Sequence, residues 1–274
     1  VSRPCLVLGA SLERATGARP RRFGPYRELH PIWDRDTESL LAARDDELQR
    51  NVWIHRCTDE SRVPSAEERA VRRPSRLQWL QGSHVGTEKW DAYEAPSGIA
   101  FSEQTRATGP LSWAELRHVL LDVATELAAR EAEGRGTAGL RASQVWLSAD
   151  GGAKLLDFGP TGVDDGNLTT DWRELVQQLL AWGLEGTAAS PTARSGRPPR
   201  IPLPEHARTL VGRCFGIGEP FASVAELRDA LERVAHRTAS VSRARRAACL
   251  AVVALVPLAP AALTVPFSLG IGAV

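Results

Sequence analysis

The chain has 274 residues, with 34 basic and 33 acidic side chains and a net charge of +1. This balance excludes a protein that binds nucleic acid through a strongly basic overall field. The four cysteines form no C-x-x-C pair, so we expect neither a disulfide scaffold nor a zinc site, and their spacing is typical of a reducing compartment. Because the chain begins at Val1 and contains no methionine, we expect it to be part of a longer protein.

The first half of the chain predicts a linker followed by strands. Residues 1–22 become rich in arginine towards their end, and we interpret them as a linker or as the tail of an upstream region. The run 52–55 (VWIH) has the β-branched and aromatic composition of a strand. Residues 145–156 predict two strands joined by Asp150-Gly151, a dipeptide that strongly favours a hairpin turn.

Helices are predicted mainly in the second half of the chain. Ser112 and Glu115 have the spacing of a capping box, and apolar residues recur after them at helical spacing. A second helix is predicted to begin near Asp171 and a third after Ser223. Strands early, helices late and a hairpin between them predict an α+β domain with two unequal lobes.

The last part of the chain predicts attachment to a membrane. No charged residue occurs in 247–274, which is longer than the ~20 apolar residues that cross a bilayer. We interpret 247–274 as a transmembrane helix, truncated at its end, that contacts membrane lipid. Arg243, Arg245 and Arg246 lie in the basic juxtamembrane segment 239–246, where they favour contact with anionic lipid and place the preceding residues in the cytoplasm.

One run carries a resemblance to a known family. Residues 140–159 read LRASQVWLSADGGAKLLDFG and end in Asp157-Phe158-Gly159. This run resembles the catalytic loop, hairpin and D-F-G motif of bacterial serine/threonine protein kinases. The resemblance covers about 23–236. It implies a bilobal domain over 23–238, with a small β-rich N-lobe at about 23–95 and a mostly helical C-lobe at about 96–238. It also implies ATP and magnesium as the cofactors of an active member.

The resemblance indicates that most positions used for phosphoryl transfer are degenerate. The stretch 33–39, in the place of the family's glycine loop, contains no glycine and three acidic residues. His55 stands where the family has a strand lysine, and a neutral imidazole does not supply a permanent positive charge. Gly139 stands at the position of the general base and has no group that accepts a proton.

Three further positions keep part of the family's chemistry. Arg141 retains the positive charge of the catalytic-loop lysine, and Gln144 offers a carbonyl oxygen at the position of the metal-binding asparagine. Asp157 is the one intact metal ligand, so Asp157 and Gln144 are the candidate magnesium ligands and, with His55, would form a degenerate ATP site. The alternative is that Asp157 is a structural turn carboxylate that accepts hydrogen bonds from nearby backbone N–H groups.

These losses favour a membrane-anchored pseudokinase, a protein-kinase-like domain that acts as a signalling or scaffold module without catalytic residues or a bound cofactor. One alternative is an active serine/threonine kinase with an atypical site for ATP and magnesium. Such an enzyme would need another carboxylate in its cleft, for example Asp150 or Asp164. Another alternative is the cytosolic domain of a multi-span membrane protein whose main function lies beyond residue 274. The sequence does not identify a protein partner.

Overall fold

The computed structural model describes residues 21–35, 37–57, 63–85, 89–137, 139–159, 169–186 and 197–235. Contacts divide the described residues into two compact units: those up to 63 together with those of 80–95, and those of 64–79 together with those of 96–235. The first unit contains most of a six-stranded sheet and the second is mainly helical, which confirms the predicted α+β class. Residues 64–79, which the sequence places in the N-lobe, group with the second unit.

A six-stranded sheet is the framework of the first unit. Its strands are β1 (Arg22–Phe23), β2 (Tyr26–Asp34), β3 (Glu38–Asp45), β4 (Arg50–Cys57), β5 (Trp79–Ser83) and β6 (Trp90–Glu94). They lie in the order β1-β2-β3-β4-β6-β5, and the pairs β1–β2, β2–β3, β3–β4 and β4–β6 are antiparallel. The strand predicted at 52–55 lies within β4 and is therefore confirmed.

One face of this sheet forms the core of the first unit. Val52 and Ile54 alternate along β4, so both point to the same face, and both are fully buried. The Trp90 ring packs edge-on against Phe23 and Tyr26, with ring centroids 6.0 and 6.2 Å apart. These aromatic rings contribute to the buried core of the first unit, together with residues such as Val52 and Ile54.

The second unit combines six helices with a small sheet among its described residues. The helices are α1 (Ala66–Ala70), α2 (Phe101–Thr108), α3 (Trp113–Ala132), α4 (Trp172–Glu185), α5 (Glu205–Cys214) and α6 (Val224–Ala235). The strands β7 (Gly98–Ala100), β8 (Val145–Ser148) and β9 (Ala153–Leu155) form an antiparallel sheet in that order. The turn between β8 and β9 contains Asp150-Gly151, which confirms the predicted hairpin.

The three predicted helix starts are confirmed by their caps. Ser112 and Glu115 form the reciprocal capping box of α3. The Asp171 side chain caps α4, and the Ser223 hydroxyl accepts the Glu226 N–H at 3.2 Å at the start of α6. Each cap gives a partner to a backbone N–H that the helix itself leaves unpaired.

Helices α3 and α4 pack closely within the core of the second unit. A Cβ atom at Gly183 of α4 would lie 2.6 Å from Cδ1 of Leu116, which is fully buried on α3. The glycine therefore allows an approach that any side chain would obstruct. This core extends to Leu155 of β9, and it fixes the end of the hairpin that precedes Asp157.

Several predicted segments lie outside the described residues. They include almost all of the linker 1–22, the candidate carboxylate Asp164, the juxtamembrane segment 239–246 with Arg243, Arg245 and Arg246, and the transmembrane segment 247–274. Among the described residues, no helix is both long enough and apolar enough to cross a membrane.

Candidate functional site

Asp157 lies two residues after the end of β9, the second strand of the hairpin. The Leu156 N–H donates to the Gln144 carbonyl oxygen at 2.9 Å, and the Leu155 N–H donates to the Ser75 carbonyl oxygen at 2.8 Å. Leu156 and the following Phe158 are both buried. These anchors on either side fix the backbone that carries the Asp157 carboxylate.

Three arginines converge on this carboxylate. Arg76 donates to Oδ2 from Nη2 at 2.7 Å and from Nε at 3.1 Å. Arg130 of α3 donates to Oδ1 from Nη1 at 2.9 Å, and Nη2 of Arg135 lies 3.5 Å from the same oxygen. The side chains of Arg76 and Arg130 are only 6% and 10% exposed. We call Asp157 and these three arginines the Asp157 cluster.

A second ion cluster adjoins the first and has Glu126 at its centre. Glu126 of α3 is fully buried, and its two carboxylate oxygens accept hydrogen bonds from Nε and Nη2 of Arg73, both at 2.8 Å. The Ser75 hydroxyl donates to Glu126 Oε2 at 3.0 Å, and Arg73 also pairs with Glu133. Because each buried charge has an opposite charge in contact, desolvation is offset by pairing.

Ion pairs between side chains therefore join the segment 64–79 to α3 and to Asp157 at the end of the hairpin. Besides the contacts of Arg73 and Arg76, Glu68 Oε1 of α1 lies 2.7 Å from Nη2 of Arg135. Helix α1 itself has no buried residue. Its capping box, formed by Ser65 and Glu68, is intact. Charge pairing rather than apolar burial therefore attaches α1 to its own unit.

The arginines determine the protonation of Asp157. Burial raises the pKa of Asp157, but the charges of Arg76 and Arg130 and the hydrogen bonds from Arg76 outweigh burial and hold the pKa below its ordinary value. Burial and the charges of Arg130 and Arg76 lower the pKa of Arg135. Asp157 is thus an ionised carboxylate at neutral pH, with arginine in contact with both oxygens.

Gln144 and Gly139, which the resemblance assigns to a catalytic loop, form local hydrogen bonds. The side-chain oxygen of Gln144 accepts the Arg141 N–H at 2.7 Å, in the short 3-10 turn at Ala142–Gln144. Gly139 has φ +78°, and its N–H donates to the Thr169 carbonyl oxygen at 2.8 Å. Among the described residues, no heavy atom lies within 4 Å of a Cβ atom placed at Gly139, the position predicted for the general base.

His55 belongs to the first unit. It lies on β4, and its Nε2 is 2.8 Å from Oε1 of Glu38 on the neighbouring strand β3. The His55 side chain is 9% exposed. This pairing with a carboxylate explains how a strand tolerates a nearly buried imidazole at this position.

The structure brings four of the predicted site residues into one unit. They are Gly139, Arg141, Gln144 and Asp157 of the second unit, whereas His55 lies in the first. The described residues contain no group of three or more His, Cys, Asp or Glu side chains arranged to hold a metal ion. Asp157 and Gln144 as magnesium ligands, and these two with His55 as a nucleotide site, stay predictions.

The arginines of the Asp157 cluster were not predicted from the sequence. Arg76 and Arg130 lie 81 and 27 residues from Asp157 along the chain, and neither belongs to a recognisable motif. A chain with 34 basic residues offers many similar candidates, so composition does not single these out.

Compared with models of known protein families and with curated proteins, the chain matches none of them.

Proposed function

We propose that this chain carries a protein-kinase-like domain that does not transfer phosphate and serves as a binding or scaffold module at a membrane. The observation that carries the proposal is the Asp157 cluster. The one intact metal ligand of the D-F-G run has arginine in contact with both of its oxygens. The proposal rests on the resemblance of the run 140–159 and on this local chemistry.

Arginine pairing opposes the binding of magnesium at Asp157. A magnesium ion needs carboxylate oxygens at about 2.1 Å in near-octahedral geometry. Here Oδ2 accepts two hydrogen bonds from Arg76, while Oδ1 accepts one from Arg130. A divalent cation would have to displace these donors and stay beside their positive charges, which repel it.

The remaining positions support the same proposal. Gly139 offers no proton acceptor, and the Gln144 side-chain oxygen accepts a hydrogen bond from its own turn. Asp150, the substitute carboxylate of the active-kinase alternative, accepts the Gly152 N–H at 3.1 Å within the hairpin turn. Asp164, the other substitute, lies outside the described residues.

Membrane attachment is the second half of the proposal. Its support is the uncharged stretch 247–274, preceded by three arginines in 239–246. In this arrangement the kinase-like domain lies on the cytoplasmic side, and the arginines contact anionic lipid headgroups. A scaffold held there would meet its partners in two dimensions, which raises their effective concentration.

The test is the stability of the full chain with and without ATP and magnesium. A ligand at 100 times its dissociation constant adds about 2.7 kcal/mol of stability, so binding would be evident as a rise in melting temperature. We expect no rise and no transfer of labelled phosphate to the chain or to a generic protein substrate. A rise that the Asp157→Ala variant abolishes would refute the proposal and support the active-kinase alternative.

A further inference from the structure

A cleft in the second unit contains none of the residues of the Asp157 cluster. It is bordered by α2, the start of α3 and the strands β7 and β8, and its volume is about 570 Å³. This volume lies within the ~300–1,000 Å³ of typical small-molecule sites. Its walls are mainly apolar and include Ile99, Leu111, Val119, Leu147 and Ala149.

Backbone contacts between two strands hold one side of the cleft in place. Gly98 of β7 has φ +125°, and a Cβ atom there would lie 1.9 Å from the Leu147 carbonyl oxygen of β8. The Ala149 N–H donates to the Ser97 carbonyl oxygen at 3.3 Å. Because this side is built from paired backbone, it needs little rearrangement when a ligand enters, and less binding energy is lost in ordering it.

One carboxylate, that of Glu115 on α3, lines the cleft. Its Oε2 accepts the Ser112 hydroxyl at 2.7 Å and the Ser112 N–H at 2.8 Å, and these hydrogen bonds lower the pKa of Glu115. Both donors are neutral, so the carboxylate keeps its negative charge, which also offsets the partial positive charge at the start of α3. Its other oxygen, Oε1, accepts no hydrogen bond from the described part of the chain.

Two further carboxylates lie beside the glycine turn that borders the cleft. A Cβ atom at Gly152, which lines the cleft, would lie 3.5 Å from Oδ1 of Asp150 and 3.7 Å from Oδ2 of Asp122. Each of these oxygens accepts one neutral backbone N–H, from Gly152 and Ala153 respectively. Burial raises the pKa of Asp122, and the negative charge of Asp150 acts in the same direction. A cation near this pair would offset that repulsion.

The basic groups near the cleft are fewer than the acidic ones. Arg117 lines the cleft but donates to the Val234 carbonyl oxygen of α6 at 3.3 Å, and the Lys154 ammonium donates to the Pro74 carbonyl oxygen. His118, which also lines the cleft, is an imidazole without a permanent charge. A neutral acceptor does not remove a positive charge, but the three carboxylates outnumber these two cations. The surroundings of the cleft are therefore negative.

From this balance we infer that the cleft binds a small amphipathic amine. Its apolar body packs between Leu111 and Leu147, and its ammonium group donates to Oε1 of Glu115. A carboxylate ligand is disfavoured, because it would place a fourth negative charge beside the three acids. The inference is independent of the kinase-like proposal, since it uses none of the residues of the Asp157 cluster.

Binding is tested on the full chain with three probes of the same shape: 4-phenylbutylamine, 4-phenylbutan-1-ol and 4-phenylbutyrate. For the amine we expect a dissociation constant on the order of 1 mM, measured by saturation-transfer NMR titration. The alcohol should bind about threefold more weakly, as expected for the loss of one solvent-exposed charge pair. The acid should bind more weakly than the alcohol. Equal binding of the three probes, tighter binding of the acid, or no binding of the amine would overturn the inference.

The contact with the ammonium group is tested by Glu115→Gln, which keeps the side-chain type that a capping box accepts. This variant should bind the amine about threefold more weakly and the alcohol as the parent chain does. Glu131→Gln removes a charge from an exposed position near the other end of α3 and should leave both affinities unchanged. A Glu115→Gln variant that keeps the parent chain's preference for the amine would refute the proposed ammonium site.

The position of the site is tested by filling it. Ala114→Trp places a large ring at the exposed start of α3, within the cleft, and should abolish binding of the amine. Thr125→Trp adds the same ring on an exposed position of α3 outside the cleft and should leave binding unchanged. An Ala114→Trp variant that has the circular dichroism of the parent chain and binds the amine equally well would rule out this cleft.

Discussion

Replacing Asp157 by asparagine tests whether the Asp157 cluster stabilises the fold. The change removes one charge and keeps the shape, and it leaves Arg76 and Arg130, only 6% and 10% exposed, without their acid. Removal of one partner from a buried ion pair costs ~3–5 kcal/mol. Since the Asp157 side chain is itself 26% exposed, solvent screening reduces our expectation to about 2–3 kcal/mol.

Urea unfolding of the full chain, followed by circular dichroism, measures this loss. Asp229→Asn is the matched control, because Asp229 pairs with Arg228 where both side chains are largely exposed, and it should cost less than about 0.5 kcal/mol. The double variant Arg76→Met/Asp157→Asn should lose less stability than the two single variants together, since it also removes the buried Arg76 charge that Asp157→Asn leaves without its acid. An Asp157→Asn variant within about 0.5 kcal/mol of the parent chain would show that the reasoning is wrong.

The pH dependence of the same loss has a defined sign. The pKa of Asp157 lies below its ordinary value of 3.8 in the folded chain, so the folded state binds this proton more weakly than the unfolded state. The stabilisation is therefore complete above that ordinary value and is lost as the pH falls through the folded pKa. The difference between the parent chain and Asp157→Asn should be constant from pH 5 to 8 and shrink in acid.

Three further predictions concern other parts of the second unit. Gly98→Ala should lower the free energy of unfolding in urea by more than about 3 kcal/mol, because its Cβ atom would clash with the Leu147 carbonyl oxygen. Gly134 has φ +71° and no described heavy atom within 4 Å of its Cβ position, so Gly134→Ala should lower it by only about 1 kcal/mol. Similar losses for the two variants would contradict this prediction. Glu126→Gln should lower the free energy of unfolding by about 3 kcal/mol in the same measurement, because it removes the fully buried carboxylate that pairs with the Arg73 guanidinium. An unchanged stability would argue against the ion cluster. Burial raises the pKa of the Cys214 thiol to about 12, so iodoacetamide at pH 8 should label Cys57 far faster, as read by mass spectrometry, and equal rates would contradict that burial.

Local features of the fold could be predicted from the sequence. The Ser112–Glu115 capping box, the Asp171 cap and the Asp150-Gly151 turn depend on residues within a few positions of each other, and each is confirmed. Their physical causes are local hydrogen bonds and turn conformations, which act wherever the chain goes. Residue spacing alone therefore predicts them.

The ion clusters could not be predicted from the sequence, because their residues lie far apart along the chain. Arg73 reaches Glu126 across 53 residues, and Arg76 reaches Asp157 across 81. Such pairs exist only once tertiary packing has brought the segments together, and arginine occurs too often here to mark a partner. The placement of residues 64–79 in the second unit was missed for the same reason, since it depends on these pairs.

The ion pairs that join residues 66–76 to the rest of the second unit also indicate the end from which this segment opens. Among the side chains of this segment that form the ion pairs described above, the exposed fraction falls from 27% at Glu68 to 22% at Arg73 and 6% at Arg76. Water and dissolved ions therefore reach the α1 end first, and a partial opening would begin there while the Arg76 end stays closed. We expect the segment to detach progressively from its α1 end, so that amide hydrogen exchange becomes slower from residue to residue towards Arg76.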